Sequence, residues 1–354
     1  MPRGEVEDTP IRQCIRRRYP RGAKSAPQYV DHRGRAVKDP ATLRRLAALR
    51  VPPAYHNVCY ESNAAARLQV TARDAKGRRQ YRYSEAQVRR SAGQKFRRLL
   101  RFAKLLPQIR RATTTALAGG GQLDSKAYNV DQAVRLLDQC HFRVGNPKYL
   151  RENKSYGLSN LEVGHVDAAK GEIAFRGKSG QANRCTVTDP QSRAFLRQAT
   201  RRRSARERLF GYATRQGRRA EIRPLDINRR LQEYGADISA KDFRTWHANV
   251  ELLRYLAAAP PPPLSGGGAK AGPAAAAVRW AVERTAAKLN HTPSVCRSNY
   301  LHPLVVEMYR DRPAEFRRAL APFRRLPAGA GEARQLRSLE AIFHGMLKRF
   351  HREA

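Results

Sequence analysis

His291-Thr-Pro-Ser-Val-Cys-Arg-Ser-Asn-Tyr300, followed by Leu301-His302-Pro303, is the stretch from which the fold of this chain can be read outward. It holds a candidate nucleophile, Tyr300, and a candidate anion stabiliser, His291. On one unbroken helix, at about 100° per residue, these two positions would lie on opposite faces. The sequence avoids that geometry. Thr292 is a good N-cap and Pro293 a good first helical residue, so His291 falls just before a helix. Pro303 disfavours helical geometry at His302 and opens a second helix, Pro303 to Tyr309. Tyr300 is therefore expected at an elbow between two helices. A core tyrosine at a helix junction would read the same way from this stretch alone, so the rest of the chain decides.

Length and charge set the class. The 354 residues leave room for two domains and a substantial core, and 41% of them are apolar. Lys and Arg number 70 against 30 Asp and Glu, a formal charge of +40. Such an excess repels itself in a compact chain and is expected to face a polyanion. Nucleic acid is the favoured partner, because phosphate contacts and counterion release supply most of the affinity there. No basic amphipathic helix with a bulky apolar face, no lipidation signal and no apolar run of transmembrane length argues for a membrane. The start, Met1-Pro-Arg-Gly-Glu-Val-Glu-Asp8, is polar and is no signal peptide. The five cysteines (Cys14, Cys59, Cys140, Cys185, Cys296) are scattered and include no Cys-x-x-Cys pair. The expectation is no disulfide framework, no zinc site and a reducing, intracellular setting.

Residues 1–26 are Arg-rich and read as a flexible arm. Residues 27–83 mix short apolar runs with turn residues, as small β-rich domains do. Leu68 to Ala72 alternates, Asp74 to Gly77 is a turn, and Arg78 to Tyr83 alternates again. The result is a hairpin displaying Arg79, Tyr81 and Tyr83 on one face and Gln80 on the other. Such a ribbon can enter a major groove, although an ordinary solvated hairpin has the same spacing. Helices are expected from Ser84 to about Arg111 and from Asn129 to Phe142, with a break at 118–122 between them. A small sheet follows: Leu158 to Val166, Ile173 to Phe175, a tight turn at Gly177-Lys-Ser-Gly180, and Arg184 to Val187. Gly177-Lys178-Ser179 is not a phosphate-binding P-loop, since Glu172 stands where its first glycine would be and the turn joins two strands. From 189 on the chain reads as helical, over 189–203, 224–234, 240–256, 274–289 and 332–350. A low-complexity loop is expected at 259–273.

The chemistry these residues could support is attack on a phosphodiester. Its pentacoordinate transition state needs donors aimed at the non-bridging oxygens, an acid for the leaving oxygen and a nucleophile. Arg143, Lys178, Arg244, His291 and Tyr300 supply these types without a metal. Taken singly, most arginines in so basic a chain are a solvated face.

In combination the segments resemble those of the type IB DNA topoisomerases of the compact poxvirus and bacterial kind. Asp74 to Tyr83 resembles that family's DNA-clamping segment. Phe142-Arg143-Val-Gly-Asn146, with Lys148-Tyr149-Leu150 and Gly157-Leu158 after it, resembles its first arginine motif. Phe175-Arg-Gly-Lys178 matches the lysine hairpin, Lys241-Asp-Phe-Arg244-Thr the second arginine motif, and His291-Thr-Pro-Ser to Tyr300 the histidine–tyrosine motif. The matches run in the family's order from about residue 28 to 345. Residues 1–26 and 259–273 have no counterpart, and Asn146 replaces a poxvirus lysine, which puts the poxvirus cleavage preference in doubt for this chain.

The resemblance implies an α+β protein. Residues 27–90 would be a small β-rich DNA-clamping domain. Residues 91–354 would be a larger, mainly α catalytic domain of the tyrosine recombinase and topoisomerase IB type, and the two would close on duplex DNA as a C-shaped clamp. It implies Tyr300 as nucleophile, Arg143, Arg244 and His291 as stabilisers of the phosphorane, and Lys178 as the acid. Gln80, Tyr81, Tyr83 and Tyr149 would contact bases or nearby backbone, Lys241 and Asn249 would support the site, and these with Lys148 make up the expected DNA-binding set. The protein would work as a monomer with no cofactor, ATP or metal, associated with DNA in a nucleus, virion or nucleoid. A tyrosine recombinase shares this chemistry but usually has His-x-x-Arg where Lys241-Asp-Phe-Arg244 stands; it also needs paired sites. A non-catalytic packaging protein would satisfy the charge alone and would form no covalent adduct.

Overall fold

The computed structural model describes residues 10–19, 27–119, 122–258 and 272–353. The expected loop at 259–273 lies almost wholly outside them, as do most of the arm at 1–26 and the centre of the 118–122 break. The chain divides into two compact units, residues 1–95 and 96–354.

The first unit is built on an antiparallel sheet. Its strands are β1 (Cys14–Arg18), β2 (Gln28–Val30), β3 (His56–Glu61), β4 (Leu68–Arg73) and β5 (Arg79–Tyr83), in the order β2-β1-β3-β4-β5. Helix α1 (Pro40–Ala48) is capped by Asp39, whose carboxylate accepts from the Thr42 N–H at 2.8 Å. Ile15, Leu46, Val58, Tyr60, Val70 and Ala72 form the core. The flexible arm expected over 1–26 does not hold for residues 14–18, because β1 is a paired interior strand with Cys14 and Ile15 buried. Its basic run misled. Arg17 does not face solvent phosphate but donates to the carbonyls of Val51 (2.8 Å), Pro52 (2.9 Å) and Tyr55 (3.0 Å). The β4–β5 hairpin forms as expected, with Gly77 at φ 71° and the Asp74 carboxylate accepting from the N–H groups of Lys76 and Arg78.

The second unit is mainly helical. α2 (Glu85–Ala118), whose first residues belong to the first unit, and α3 (Lys126–Cys140) come first, then α4 (Pro147–Asn153). A three-stranded antiparallel sheet follows: β6 (Val166–Asp167), β7 (Glu172–Arg176) and β8 (Ala182–Thr186). Beyond it lie α5 (Pro190–Arg202), a short hairpin of β9 (Gly211–Ala213) and β10 (Arg219–Glu221), α6 (Pro224–Gln232), α7 (Ala240–Ala257) and α8 (Pro273–Lys288). The chain closes with α9 (Pro293–Asn299), α10 (Pro303–Asp311), α11 (Pro313–Ala319), α12 (Ala321–Arg324) and α13 (Glu332–Glu353). α4, α5, α9 and α10 share one device, a capping residue followed by proline: Asn146, Asp189, Thr292 or His302, each accepting a backbone N–H of the first turn.

α7 is the axis of this unit. It packs against α3, α8, α10 and α13, and nearly every residue along it is buried. Phe102, Phe243, Trp246 and Phe343 interlock around it with centroids 5.0–6.3 Å apart. Two expectations fail here. The alternating stretch 158–166 forms tight 3-10 turns rather than one continuous strand, with Val166 and Asp167 pairing to β7 and Glu162 making an isolated bridge to Arg208. The reading of unpaired cysteines also fails, since Cys14 is joined to Cys59 and Cys140 to Cys185. Both pairs are 45 residues apart, so no short spacing betrays them. Cys296 stays free and buried.

Candidate active site

Four segments of the second unit converge. The first leaves α3, which ends at His141 in the left-handed region (φ 55°) and turns the chain into an extended run through Arg143. That run is held by the segment after α4: Leu158 N–H donates to the Arg143 carbonyl (2.8 Å) and Ser159 N–H to that of Val144 (2.7 Å). The two backbones touch at paired glycines. A Cβ on Gly157 would lie 2.4 Å from the Cα of Gly145, itself at φ 99°. Phe142, wholly buried, packs edge-on against Phe175 of β7 at 4.8 Å. This ties the Arg143 run to the hairpin whose turn carries Lys178.

The second and third segments bring Arg244 and His291 together. Arg244 sits in α7, 3% exposed. It donates to the carbonyl of His141 and, at 2.6 Å, to that of Leu289. His291 follows α8 and the left-handed Asn290, with its N–H anchored on the Ala286 carbonyl at 2.8 Å. Its ring lies between two guanidinium groups, with Nδ1 2.9 Å from Arg143 Nη2 and Nε2 2.8 Å from Arg244 Nη2.

Tyr300 arrives on the fourth segment. It terminates α9, and its ring lies tilted over His291 with centroids 4.3 Å apart and over the Arg244 guanidinium at 5.8 Å. The elbow is fastened from within by Asn249. Its Nδ2 donates to the Tyr300 carbonyl (2.9 Å) and its Oδ1 accepts from the His302 N–H (2.7 Å). The expected cap and elbow are thus both present.

The electrostatics are one-sided. Among the described residues, Arg143, Lys178 and Arg244 pair with no carboxylate. Burial and the Arg143 charge push Arg244 down to about 10, so it stays cationic at neutral pH. Burial, then Arg244, Arg143 and Lys178, pull His291 down to about 3. A neutral imidazole has one N–H and one acceptor, yet both ring nitrogens face guanidinium donors. One guanidinium therefore meets an N–H, and its donor is better used on an anion's oxygen. The folded His291 is expected to titrate near 3 by nitrogen-15 NMR, and Arg244→Ala to move it towards the ordinary ~6.5. Because the folded value is the lower one, its contribution to stability is complete above about 6.5 and is lost as pH falls towards 3. A histidine that titrates near 6.5 in the intact protein would contradict this electrostatic picture.

Arg143, Arg244 and Tyr300 thus each contact His291, whereas Lys178 is exposed at its hairpin tip and reaches His291 through charge. Lys148 and Tyr149 lie exposed on α4, next to the Arg143 run, and Lys241 is exposed in the first turn of α7. Gln80, Tyr81 and Tyr83 lie on β5 of the first unit, where both tyrosines are exposed and Gln80 donates to Asp74 at 2.9 Å. Asn249 is fully buried with its amide on the elbow, a place that fits support of the site and corrects only its grouping among DNA contacts.

Sequence reasoning missed the support beneath Arg244. His247, one turn along α7, stacks on His141 at 4.0 Å and meets Asp138 of α3 at 2.9 Å. Arg110 of α2 bridges Asp138 and Glu340 of α13 at 2.6–2.9 Å. Burial alone would raise the Asp138 carboxyl, but the Arg110 charge and the bonds from His247 and Arg110 hold it below the ordinary carboxylate range. An aspartate on a helix and a histidine in an apolar run carry no motif that would have revealed this.

Among the described residues no helix is long and apolar enough to cross a membrane, and no cluster of three or more His, Cys, Asp or Glu could hold a metal. Residues 84–325 match the family described as eukaryotic DNA topoisomerase I, catalytic core, and residues 28–74 the bacterial DNA topoisomerase IB, N-terminal domain. The DNA topoisomerase 1B of Acanthamoeba polyphaga mimivirus is 30% identical over 285 residues, covering 77% of this chain and 82% of that protein. That of vaccinia virus is 25% identical over 264 residues, covering 72% and 77%. With family matches in both units and relatives covered over most of their length, this chain belongs to the type IB DNA topoisomerases.

Proposed function

We propose that Tyr300 attacks a phosphodiester of duplex DNA and relaxes supercoils by cutting and resealing one strand. The observation that carries the reading is the contact of Tyr300 with His291, whose ring lies between two arginines that pair with no carboxylate among the described residues. The phenol oxygen forms a bond to phosphorus as it gives its proton to solvent water. The P–O5′ bond breaks, and Lys178 gives a proton to the departing 5′-oxygen. The products are a 3′-phosphotyrosine and a 5′-hydroxyl. The nicked strand swivels, and the reverse step restores the phosphodiester. Since the phosphotyrosine keeps the bond energy, neither ATP nor a metal is required. Arg143, Arg244 and His291 donate to the non-bridging oxygens, whose charge grows in the transition state.

The two units close on duplex DNA as a C-shaped clamp, the larger one having the fold of tyrosine recombinases. Gln80, Tyr81 and Tyr83 of β5, with Lys148, Tyr149 and Lys241, take bases or phosphates, and the protein works as a monomer wherever DNA is kept in the cell or virion. The test is supercoiled plasmid in EDTA without nucleotide. Complete relaxation by the monomer, with an adduct trapped by detergent, is the expected result. Relaxation only with paired sites would point to a recombinase, and no adduct at all to a packaging protein.

A further inference from the structure

The hairpin that carries Lys178 is fastened to the backbone beside His291 by two asparagines. Asn183 lies on β8 opposite Phe175 and is 4% exposed. Its Nδ2 donates to the Gln181 carbonyl (2.9 Å), and its Oδ1 accepts from Nδ2 of Asn290 (3.0 Å). Gly177 makes the room: a Cβ there would come within 2.4 Å of Asn183 Nδ2. The Gly177 N–H also donates to the Gln181 carbonyl (2.8 Å), so the amide is wedged under the turn whose tip is Lys178. On the other side Asn290 holds φ 54°, directly before His291. A glycine would meet that conformation at lower cost, so the amide is what Asn290 adds.

We infer that Asn183 and Asn290 form a clasp that sets the Lys178 hairpin in register with His291, making both of them positioning residues for protonation of the leaving oxygen. The inference rests on Lys178 being the general acid. Lys178 is exposed on a turn whose Ser179 and Gly180 both have positive φ. The clasp joins the base of that turn to the residue next to the imidazole. A neutral hydrogen bond of ordinary strength, if it serves only to place Lys178, corresponds to about 2- to 10-fold in cleavage rate.

The test uses the full chain and two duplexes, one with the ordinary bridging 5′-oxygen at the cleavage site and one with sulfur there. A thiol pKa is about 8.5 against about 15.7 for water, so a sulfur leaving group needs no acid. Asn290→Gly keeps the left-handed backbone and removes the amide, and Asn183→Ala removes the partner. Both should cleave the oxygen duplex about 2- to 10-fold more slowly, cleave the sulfur duplex at the parent rate and bind DNA with parent affinity. Adding Lys178→Ala to Asn290→Gly should cost no more than Lys178→Ala alone. Equal slowing on both duplexes, unchanged rates in both variants, or an additive double variant would overturn the clasp. Lys178→Ala is the internal reference. If sulfur fails to rescue it, the general-acid reading itself falls; if sulfur rescues it but not Asn290→Gly, only the clasp falls.

Discussion

Tyr300→Phe should bind duplex DNA like the parent protein and form no covalent adduct. The substitution removes one oxygen. The ring that packs over His291 and Arg244 remains, and the backbone bonds to Asn249 are untouched. Stability should therefore change little, and the residues proposed to contact DNA are unaltered. What disappears is the atom that would join phosphorus, and among the described residues no other tyrosine ring is stacked on His291. Adduct in a detergent-quenched reaction should drop below detection, and plasmid relaxation with it. Residual adduct on Tyr255 or Tyr309 would show that another tyrosine reacts.

Lys178→Ala should slow cleavage of an ordinary duplex by about 10²- to 10⁴-fold, the range typical of a positioned general acid. On the sulfur-bridged duplex the same variant should approach the parent rate. Arg244→Ala supplies the contrast. Arg244 is buried against His291 and is assigned to the phosphorane oxygens, whose charge develops whichever atom leaves. It should stay slow on both duplexes. A Lys178→Ala variant equally slow on both would mean that the lysine only holds phosphate.

Much of this site was legible because its residues sit next to strong local signals. Thr292-Pro293 and His302-Pro303 mark two helix starts, and they alone place His291 and Tyr300 on either side of a short helix. The β4–β5 hairpin was legible through alternation and the Asp74–Gly77 turn. What stayed hidden depends on contacts distant in sequence. Arg110, Asp138, His247 and Glu340 come from four helices, and a buried ion network leaves no periodic trace. Asn183 and Asn290 meet across 107 positions. Residues 14–18 read as a solvated basic run because Arg17 satisfies its charge on backbone carbonyls, which no pattern of residue types reveals. The stretch 158–166 alternates as a strand would, yet Gly157 must pass against Gly145, and the chain turns there instead.

The most direct test of the account is to locate the covalent bond. Protein and duplex DNA are mixed, quenched with detergent, digested with nuclease and protease, and analysed by mass spectrometry. The account predicts a nucleotide joined through its 3′-phosphate to the peptide containing Tyr300, with a free 5′-hydroxyl at the break. A nucleotide on any other residue, or one joined through its 5′-phosphate, would contradict it.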